Sequence, residues 1–347
     1  MWRSPLWVPK RPGGAARVLH LVSFAVTSFP IILRQIFWRP DLVLAVAPAF
    51  VCAPSAWLVA RLCGAEAWLH IQDFEVDVAF QMGLLKGELL KRIVLRMERW
   101  MLRRFDTVST ISRRMTELLI RKNVSVERTR YFPNWVEIPE SHAASPHGSY
   151  REELNIGRDA VVALFSGTMG GKQGLMVIPD AARLLARRGD IVFVICGDGV
   201  LKPKLEAAMA DLPNVRLVPL QPIERLTELL GMADIHLLPQ SPSAADLVLP
   251  SKLSGMLASG RPVIATCRPR TEIADIVSNC GLIVAPRDSN SLADAIVRLA
   301  DDPALRRSLG RKAREFAIAN FERDAVLEGM FAPWMADESA VAEDVVA

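Results

Sequence analysis

Glycines and a lysine follow an apolar run in the middle of the chain, in the stretch "VALFSGTMGGKQGLMV" (162–177). Glycines let backbone N–H groups approach an anion, and a helix start adds partial positive charge, so Gly167 and Gly171 are candidate phosphate contacts. Lys172 would supply a full positive charge. An ordinary flexible turn would look the same, because the stretch matches neither the dinucleotide nor the P-loop motif.

Three later segments repeat this arrangement of an apolar run followed by glycine or polar residues. The first places Asp198 and Gly199 after "VIC", and the second places Gln221 after "LVPL". The third, "LVLPSKLSGMLASGRPVIA" (247–265), puts Ser251 and Lys252 at the start of a predicted helix, which Ser251 could cap. A tight turn explains Gly-Asp-Gly as well as ligand contact does. Together, however, the strand ends favour a nucleotide-like ligand.

Short apolar runs that alternate with amphipathic helical patterns must position these residues. Such alternation predicts parallel sheets built from strand–helix units, whose carboxyl ends lie at one edge and bind ligands there. The predicted strands are Leu42–Val46, Ala67–Ile71, Thr107–Thr110, Thr129–Phe132, Val161–Ser166, Ile191–Cys196, Val215–Pro219, Ile235–Pro239, Val263–Ala265 and Leu282–Val284. The fold class is therefore α/β, with doubly wound parallel sheets.

The length of 347 residues suits two domains with a cleft between them. The polar stretch 134–159 is rich in Pro, Ser and His and reads as a connection. We therefore predict a first domain over 1–140, a linker over 141–158 and a second domain over 159–315. The segment 316–347 could cross back to the first domain.

Composition indicates a globular, intracellular chain. The net charge of +4 permits an anionic partner without demanding one, and the sequence shows no nucleic-acid-binding pattern. Five scattered cysteines without a CxxC pair favour reduced thiols in the cytoplasm and argue against a zinc site. The apolar stretches 18–33 and 42–60 could span a membrane, but proline divides the second into strand-sized and helix-sized runs, as in buried layers.

A basic amphipathic helix is predicted over 87–105, "GELLKRIVLRMERWMLRRF". Its apolar side chains share one broad face, and its lysine and arginines lie largely opposite. This pattern suits docking on an anionic membrane surface. The alternative is a solvated charged face over a stripe that packs into the core.

A histidine near the end of the strand "AWLHIQD" (67–73) is a further site candidate. His70 would lie at the carboxyl edge of the first sheet, where parallel-sheet proteins bind ligands. Asp73 follows closely, where it could orient His70 or bind an acceptor. A packed, hydrogen-bonded core histidine is the alternative.

The ordered set "SGTMGGKQGL", "VICGDGVLKPKLE", "MADIHLLPQ" and "LPSKLSGMLASGRPVIAT" resembles the donor domain of GT-B glycosyltransferases of family 4. The likeness is greatest to the branch of colanic-acid-type exopolysaccharide or O-antigen glycosyltransferases. "PLWVPKRPGG" and "YFPNWVE" extend it into the first half, so the resemblance covers nearly the whole chain.

This resemblance implies two Rossmann-like domains that face a cleft, the first one acceptor-side. It also implies retaining, metal-independent transfer of a hexose-type sugar from a UDP- or GDP-linked donor to a lipid-linked saccharide, at the cytoplasmic face of the membrane. The implied catalytic residues are His70, Lys172 and Lys252; the implied donor contacts are Gly167, Gly171, Asp198, Gly199, Gln221, Asp246, Leu249 and Ser251; Asp73 is on the acceptor side.

Two departures from the family pattern matter. A glutamate pair, E-x7-E, brackets this motif in many relatives, but Leu247 and Gly255 stand there, with Asp246 one residue away as a possible substitute. Relatives also begin with a strand, a glycine-rich loop and a helix, so about 70 residues of the first Rossmann-like domain would be absent. On that reading we expect poor activity, and an inactive nucleotide-sugar-binding paralogue is one alternative. A sugar-nucleotide epimerase, which would need a carboxylate pair in the cleft, is the other.

Overall fold

The computed structural model describes residues 2–9, 14–47, 50–74, 76–77, 80, 87–138, 149–242 and 249–332. The chain divides into two compact units, and the division in its first half lies between Phe132 and Pro133, close to the predicted boundary at residue 140.

The first unit contains a four-stranded parallel sheet in the order β1-β2-β3-β4. Its strands are β1 (Leu42–Ala47), β2 (Glu66–Ile71), β3 (Thr107–Thr110) and β4 (Thr129–Tyr131), and its helices are α1 (Gly14–Arg34), α2 (Ala53–Cys63), α3 (Glu88–Leu102) and α4 (Arg113–Arg121). The apolar stretch 42–60 forms β1 and most of α2, as its prolines predict.

The second unit contains a six-stranded parallel sheet in the order β10-β9-β8-β5-β6-β7. Its strands are β5 (Val161–Ser166), β6 (Ile191–Cys196), β7 (Val215–Val218), β8 (Ile235–Pro239), β9 (Val263–Thr266) and β10 (Gly281–Val284). Its helices are α5 (Ser149–Glu153), α6 (Val177–Leu184), α7 (Lys202–Met209), α8 (Leu226–Gly231), α9 (Lys252–Ala258), α10 (Glu272–Val277), α11 (Ser289–Asp301) and α12 (Pro303–Phe321).

The second sheet has a core on each face. Every residue of β5 and β6 is buried, and alternate residues join opposite clusters, so that Phe165 and Phe193 pack on one side and Leu164 and Val194 on the other. Near-continuous apolar strands are expected where helices cover both faces of a parallel sheet. The predicted fold class and all ten predicted strands are therefore confirmed.

The C-terminal segment continues past α12. Val136 donates its N–H to the carbonyl of Phe321 over 2.8 Å and forms an isolated parallel bridge with Glu322. A further helix occupies 323–332. These contacts all lie within the second unit. The crossing of residues 316–347 back to the first domain stays a prediction.

A buried ion cluster fixes helix α3 to the rest of the first unit. Lys122, which follows α4, places its Nζ 2.7 Å from Asp77 Oδ2 and in contact with the Glu98 carboxylate on α3. Burial raises the pKa of Glu98, and the Lys122 ammonium opposes that shift. Since Lys122 and Glu98 are both buried, either charge alone would be costly.

We expect Lys122→Ala to lower the free energy of unfolding by about 3–5 kcal/mol, because it leaves buried carboxylates without their cation. The double variant Lys122→Met/Glu98→Leu should recover most of this loss. Urea denaturation followed by circular dichroism measures both. A loss below about 1 kcal/mol for Lys122→Ala, the value of an exposed pair, would show that the cluster does not hold the unit together.

Candidate functional site

The loops after β5, β6, β7 and β8 meet at the carboxyl edge of the second sheet, because these strands are parallel neighbours. The loop after β5 runs beside the loop after β6. Gly167 donates its N–H to the carbonyl of Cys196 over 3.0 Å, and Met169 does so to that of Asp198 over 2.7 Å. The sequence prediction that these segments share one edge is confirmed.

Glycine is required in the β6 loop because the two loops touch through their backbones. A Cβ on Gly197 would lie 2.0 Å from the carbonyl oxygen of Gly167, and one on Gly199 would lie 2.6 Å from that of Met169. Both glycines also have positive φ angles, +149° and +147°. Their first requirement is therefore loop-to-loop packing, a third possibility beside the tight turn and the ligand contact that the sequence left open.

Lys252, the first residue of α9, turns its side chain across the end of β5. Its Nζ lies 3.9 Å from the ring centroid of Phe165 and 3.4 Å from the carbonyl oxygen of Ser166. The same Nζ would be 3.8 Å from a Cβ on Gly167, an ordinary van der Waals distance, so the lysine packs directly beside this glycine. Within the described ranges no carboxylate pairs with this ammonium, and burial lowers the pKa of Lys252 to about 7.

The glycine-rich turn after β5 packs on the end of β8. Gly174, with a φ of +63°, would bring a Cβ to 3.2 Å from the backbone of Gln240 and Ser241. Gly171 is different, because a Cβ there would meet no atom within 4 Å. The backbone of Lys172 lies in this turn, between Gly171 and Gln173, but its side chain is outside the described part of the structure.

The start of α9 differs from the prediction. Ser251 has helical dihedral angles (φ −57°, ψ −27°), and its side chain makes no capping hydrogen bond, so the prediction that it caps α9 is wrong. A capping serine needs extended backbone for its hydroxyl to reach the free amides. Ser251 is exposed, and the N–H of Leu253 instead bonds to the carbonyl of Pro250 over 3.0 Å.

Leu249 and Asp246 are the other two predicted donor residues. Leu249 is buried and groups with the first unit, and Asp246 lies outside the described residues. The end of α9 does follow the sequence prediction. Gly260, with a φ of +70°, ends the helix, and β9 begins shortly afterwards at Val263.

The side chain of Gln221 is held at both ends. Its Oε1 accepts from the Tyr150 hydroxyl over 2.8 Å, and its Nε2 donates to the carbonyl of Pro219 over 2.8 Å. The guanidinium of Arg225 stacks 3.8 Å above the Tyr150 ring. Gln221 is thereby fixed as part of the loop, so its backbone is better placed than its amide to contact a ligand.

A pocket of about 110 Å³ lies at the carboxyl ends of β6 and β7. It is lined by Met169, Ile195, Gly197, Lys202, Leu205, Glu206, Leu217, Val218 and Pro219. Asp198 is exposed close by, and its Oδ1 accepts from the Gly199 N–H over 2.8 Å. Sequence reasoning missed Lys202 and Glu206, although their i, i+4 spacing in the helix after Gly-Asp-Gly would place both on one face.

His70 is a buried residue of β2 in the first unit. Its Nδ1 lies 2.9 Å from Ser109 Oγ, which also accepts from the Trp68 indole over 2.7 Å, and its ring lies 5.0 Å from that of Phe132. Burial lowers the pKa of His70 to about 4, so the ring is neutral near pH 7. Asp73, just beyond the strand, is half-buried. In the described part of the chain, no three His, Cys, Asp or Glu side chains gather as metal ligands would.

A second buried histidine supports the Lys252 side of the site. His236 lies on β8, with its Nε2 2.9 Å from Ser259 Oγ at the end of α9 and its Nδ1 without a partner. Burial, with Arg261 and Lys252 nearby, lowers the pKa of His236 to about 3. The neutral His236 ring therefore links the end of α9, the helix that carries Lys252, to strand β8 of the second sheet.

Two parallel-sheet units, the second with glycine loops and a half-buried lysine at its carboxyl edge, define a GT-B α/β fold. The chain belongs to the glycosyltransferases, and its two halves match two families of these enzymes. The family described as "Glycosyl transferase 4-like domain" matches residues 2–135, and that described as "Glycosyl transferases group 1" matches 160–302.

Individual relatives agree with this assignment. The chain is 38% identical over 334 residues to the putative colanic acid biosynthesis glycosyl transferase WcaI of Escherichia coli K12, covering 94% of this chain and 82% of that protein. The solved Anabaena Alr3699/HepE complex with UDP-glucose matches with a TM-score of 0.68 at 17% identity, over 89% of this chain and 82% of that one. Sucrose-phosphate synthase of Thermosynechococcus elongatus matches with a TM-score of 0.71 at 19% identity, over 96% and 81%.

We expect Gly197→Ala to destabilise the second unit by several kcal/mol, on the order of 3, because its Cβ would overlap a backbone carbonyl. Gly171→Ala is the matched control in the neighbouring loop, and it should stay within about 0.5 kcal/mol of the parent. Thermal and urea unfolding measure both variants. Equal stability of the two would contradict the requirement for direct loop contact.

Stability should fall as the pH drops from about 6.5 towards 4. The pKa values of His70 and His236 are lowered to about 4 and about 3 in the folded protein. Between pH 6.5 and 4 the two imidazoles therefore bind protons in the unfolded chain before they do so in the folded chain. Near pH 5 these two histidines should contribute an uptake of about two protons on unfolding. Urea titrations between pH 7.5 and 4.5 measure the uptake, and His236→Asn should remove about one proton of it. An unchanged slope in that variant would contradict the assignment.

Proposed function

We propose that this protein is a retaining, metal-independent glycosyltransferase. It moves a hexose-type sugar from a nucleotide-diphospho-sugar to a lipid-linked oligosaccharide during exopolysaccharide or O-antigen assembly, at the cytoplasmic face of the membrane. Family membership supports sugar transfer, and the Escherichia coli relative named for colanic acid biosynthesis supports the polysaccharide class.

The observation that carries the proposal is the ammonium of Lys252, with which no carboxylate in the described part of the chain pairs. Burial lowers its pKa to about 7, which means that the charged form is held at a cost. A diphosphate at the edge beside Gly167 would give the ammonium an anion, which none of the described carboxylates supplies. At about 4 Å and an effective dielectric constant near 20, one such charge pair is worth about 4 kcal/mol.

The same contact would assist the reaction. When the bond between the sugar and the diphosphate breaks, negative charge builds up on the leaving diphosphate, and a fixed cation stabilises that charge. We assign this role to Lys252, with Lys172 as its partner from the glycine-rich turn. A diphosphate oxygen would then take the proton of the acceptor hydroxyl. With a pKa of about 4, His70 would act as a neutral hydrogen-bonding group and Asp73 would face the acceptor.

For the donor we propose a UDP-sugar first and a GDP-sugar second. The solved Anabaena complexes contain UDP, UDP and glucose, or UDP-glucose, which supports uridine in a related fold. The base would lie by the pocket lined by Met169 and Pro219, against the backbone of the Gln221 loop. Asp198 and Gly199 flank this position.

UDP binding should take up a proton when the pH is above 7, because a bound diphosphate raises the pKa of Lys252 from about 7. Calorimetric titration at pH 8 in two buffers of different ionisation enthalpy should give an uptake approaching one proton. Affinity for UDP should fall from pH 7 to pH 9. Lys252→Met should remove the uptake and weaken binding at least about tenfold.

Lys312→Met, an exposed lysine on α12, is the matched control and should behave as the parent. Binding by Lys252→Met with the parent's affinity and proton uptake would refute the diphosphate site. Release of UDP from a UDP-sugar in the presence of lipid-linked acceptor tests transfer separately. Tight UDP binding without any transfer from a panel of UDP- and GDP-sugars would favour a binding-only protein.

A further inference from the structure

Helix α3 exposes most of its apolar side chains and buries one of its two acids, Glu98, which is the reverse of a helix packed on a core. Leu89 is 72% exposed and Met97 63%, and Ile93 and Trp100 are also exposed. The buried residues of α3 are Glu98, Met101 and Leu102, all near its end. The predicted alternative, in which this stripe packs into the core, does not describe α3, so the apolar face is left open on the surface.

A groove of about 640 Å³ runs along this face. Pro54, at the start of α2, forms one wall, and the lining from α3 is Leu89, Arg92, Ile93, Arg96, Met97, Trp100 and Met101. A second groove of about 370 Å³ lies on the other side of Pro54, and helix α1 lines it with Ala25, Val26 and Phe29. Since Pro54 borders both grooves, α1 and α3 form one continuous apolar surface within the first unit.

Helix α1 has the features of a helix that lies in a membrane surface. The segment Leu19–Trp38 is long and apolar enough to cross a membrane, and only 6% of it is buried. Polar side chains of α1, however, form hydrogen bonds with the backbone of the N-terminal residues 2–9. Thr27 Oγ1 donates to the carbonyl of Pro5 over 2.5 Å, and Ser23 Oγ accepts from the Trp7 N–H over 3.0 Å. Together with its packing on α2, these bonds favour an in-plane position, because spanning would expose them to hydrocarbon.

The charges around the surface formed by α1, Pro54 and α3 indicate what kind of partner binds there. Helix α3 and the residues after it carry Lys91, Arg92, Arg96, Arg99, Arg103 and Arg104, whereas Glu88 is the one exposed acid on α3. Exposed Trp2, Phe37 and Trp38 lie near α1. Apolar faces edged by arginine and tryptophan suit the boundary between lipid head groups and acyl chains.

We propose that the α1–Pro54–α3 surface seats the first unit on an anionic phospholipid bilayer, with both helices lying in the membrane plane and neither crossing it. The groove between Pro54 and α3 then takes acyl chains, and Arg92 and Arg96 meet lipid phosphates. This docking rests on the proposed function only for its membrane location, and the two are distinguishable because docking can fail while UDP binding and sugar transfer hold.

Flotation of the full chain with large vesicles tests this docking. Binding should require phosphatidylglycerol, be weak on pure phosphatidylcholine, and weaken with salt. Arg92→Glu/Arg96→Glu should reduce binding by roughly tenfold or more. Arg311→Glu/Lys312→Glu, the matched reversal on exposed residues of α12, should leave it unchanged. Equal binding by both reversals would overturn the proposal.

Apolar contact is tested separately on each helix. Ile93→Ser/Met97→Ser on α3 and Val26→Ser/Phe29→Ser on α1 should each weaken vesicle binding, with circular dichroism and UDP affinity as controls for folding. Quenching of Trp100 by lipids brominated near the head group should exceed quenching by lipids brominated near the chain end. Unchanged binding by both serine variants would overturn the proposal.

Alkaline carbonate separates the two membrane geometries. An in-plane seat should be released from the vesicles, whereas retention would identify a spanning helix and overturn the in-plane assignment. Light scattering in the absence of lipid tests whether a second copy of this chain binds the surface instead. A stable dimer that Ile93→Ser/Met97→Ser abolishes, without vesicle binding by the parent, would assign the surface to a second copy.

Discussion

The candidate site in the second unit depends on one electrostatic constraint, the placement of a lysine ammonium with which no carboxylate of the described residues pairs. Lys252 lies against an aromatic ring and a backbone carbonyl, beside Gly167. In the described ranges no carboxylate neutralises it, and its pKa falls to about 7. A bound anion is the simplest source of the missing charge.

The surroundings keep that lysine in place. Backbone contact between the loops after β5 and β6 fixes Gly167, and the bond from His236 to Ser259 fixes the end of α9. Both supports are uncharged, so neither cancels the ammonium. Among the described residues the site therefore holds a fixed cation without a paired carboxylate, which is the preorganisation that stabilisation of a leaving diphosphate needs.

The first unit exposes an apolar surface. Its sheet is packed around Trp68 and His70, but helices α1 and α3 present apolar side chains to the outside. The Lys122 cluster anchors α3 by its last turns and leaves its first turns free. A transferase that meets a lipid-linked acceptor needs such a surface, and in our proposals the two units divide donor chemistry from membrane contact.

The sequence by itself determined the parallel α/β architecture, since apolar runs and helical periods are local patterns; each of the ten predicted strands is present. It also determined that Gly167, Asp198, Gln221 and Lys252 share one edge, because parallel strands end on the same side. Only the tertiary structure decided what each residue touches. Gly197 and Gly199 make room for a neighbouring loop, Ser251 does not cap its helix, and Tyr150 holds Gln221. The contacts of Gly197, Gly199 and Tyr150 join residues far apart in the chain, so no local pattern of side chains could reveal them.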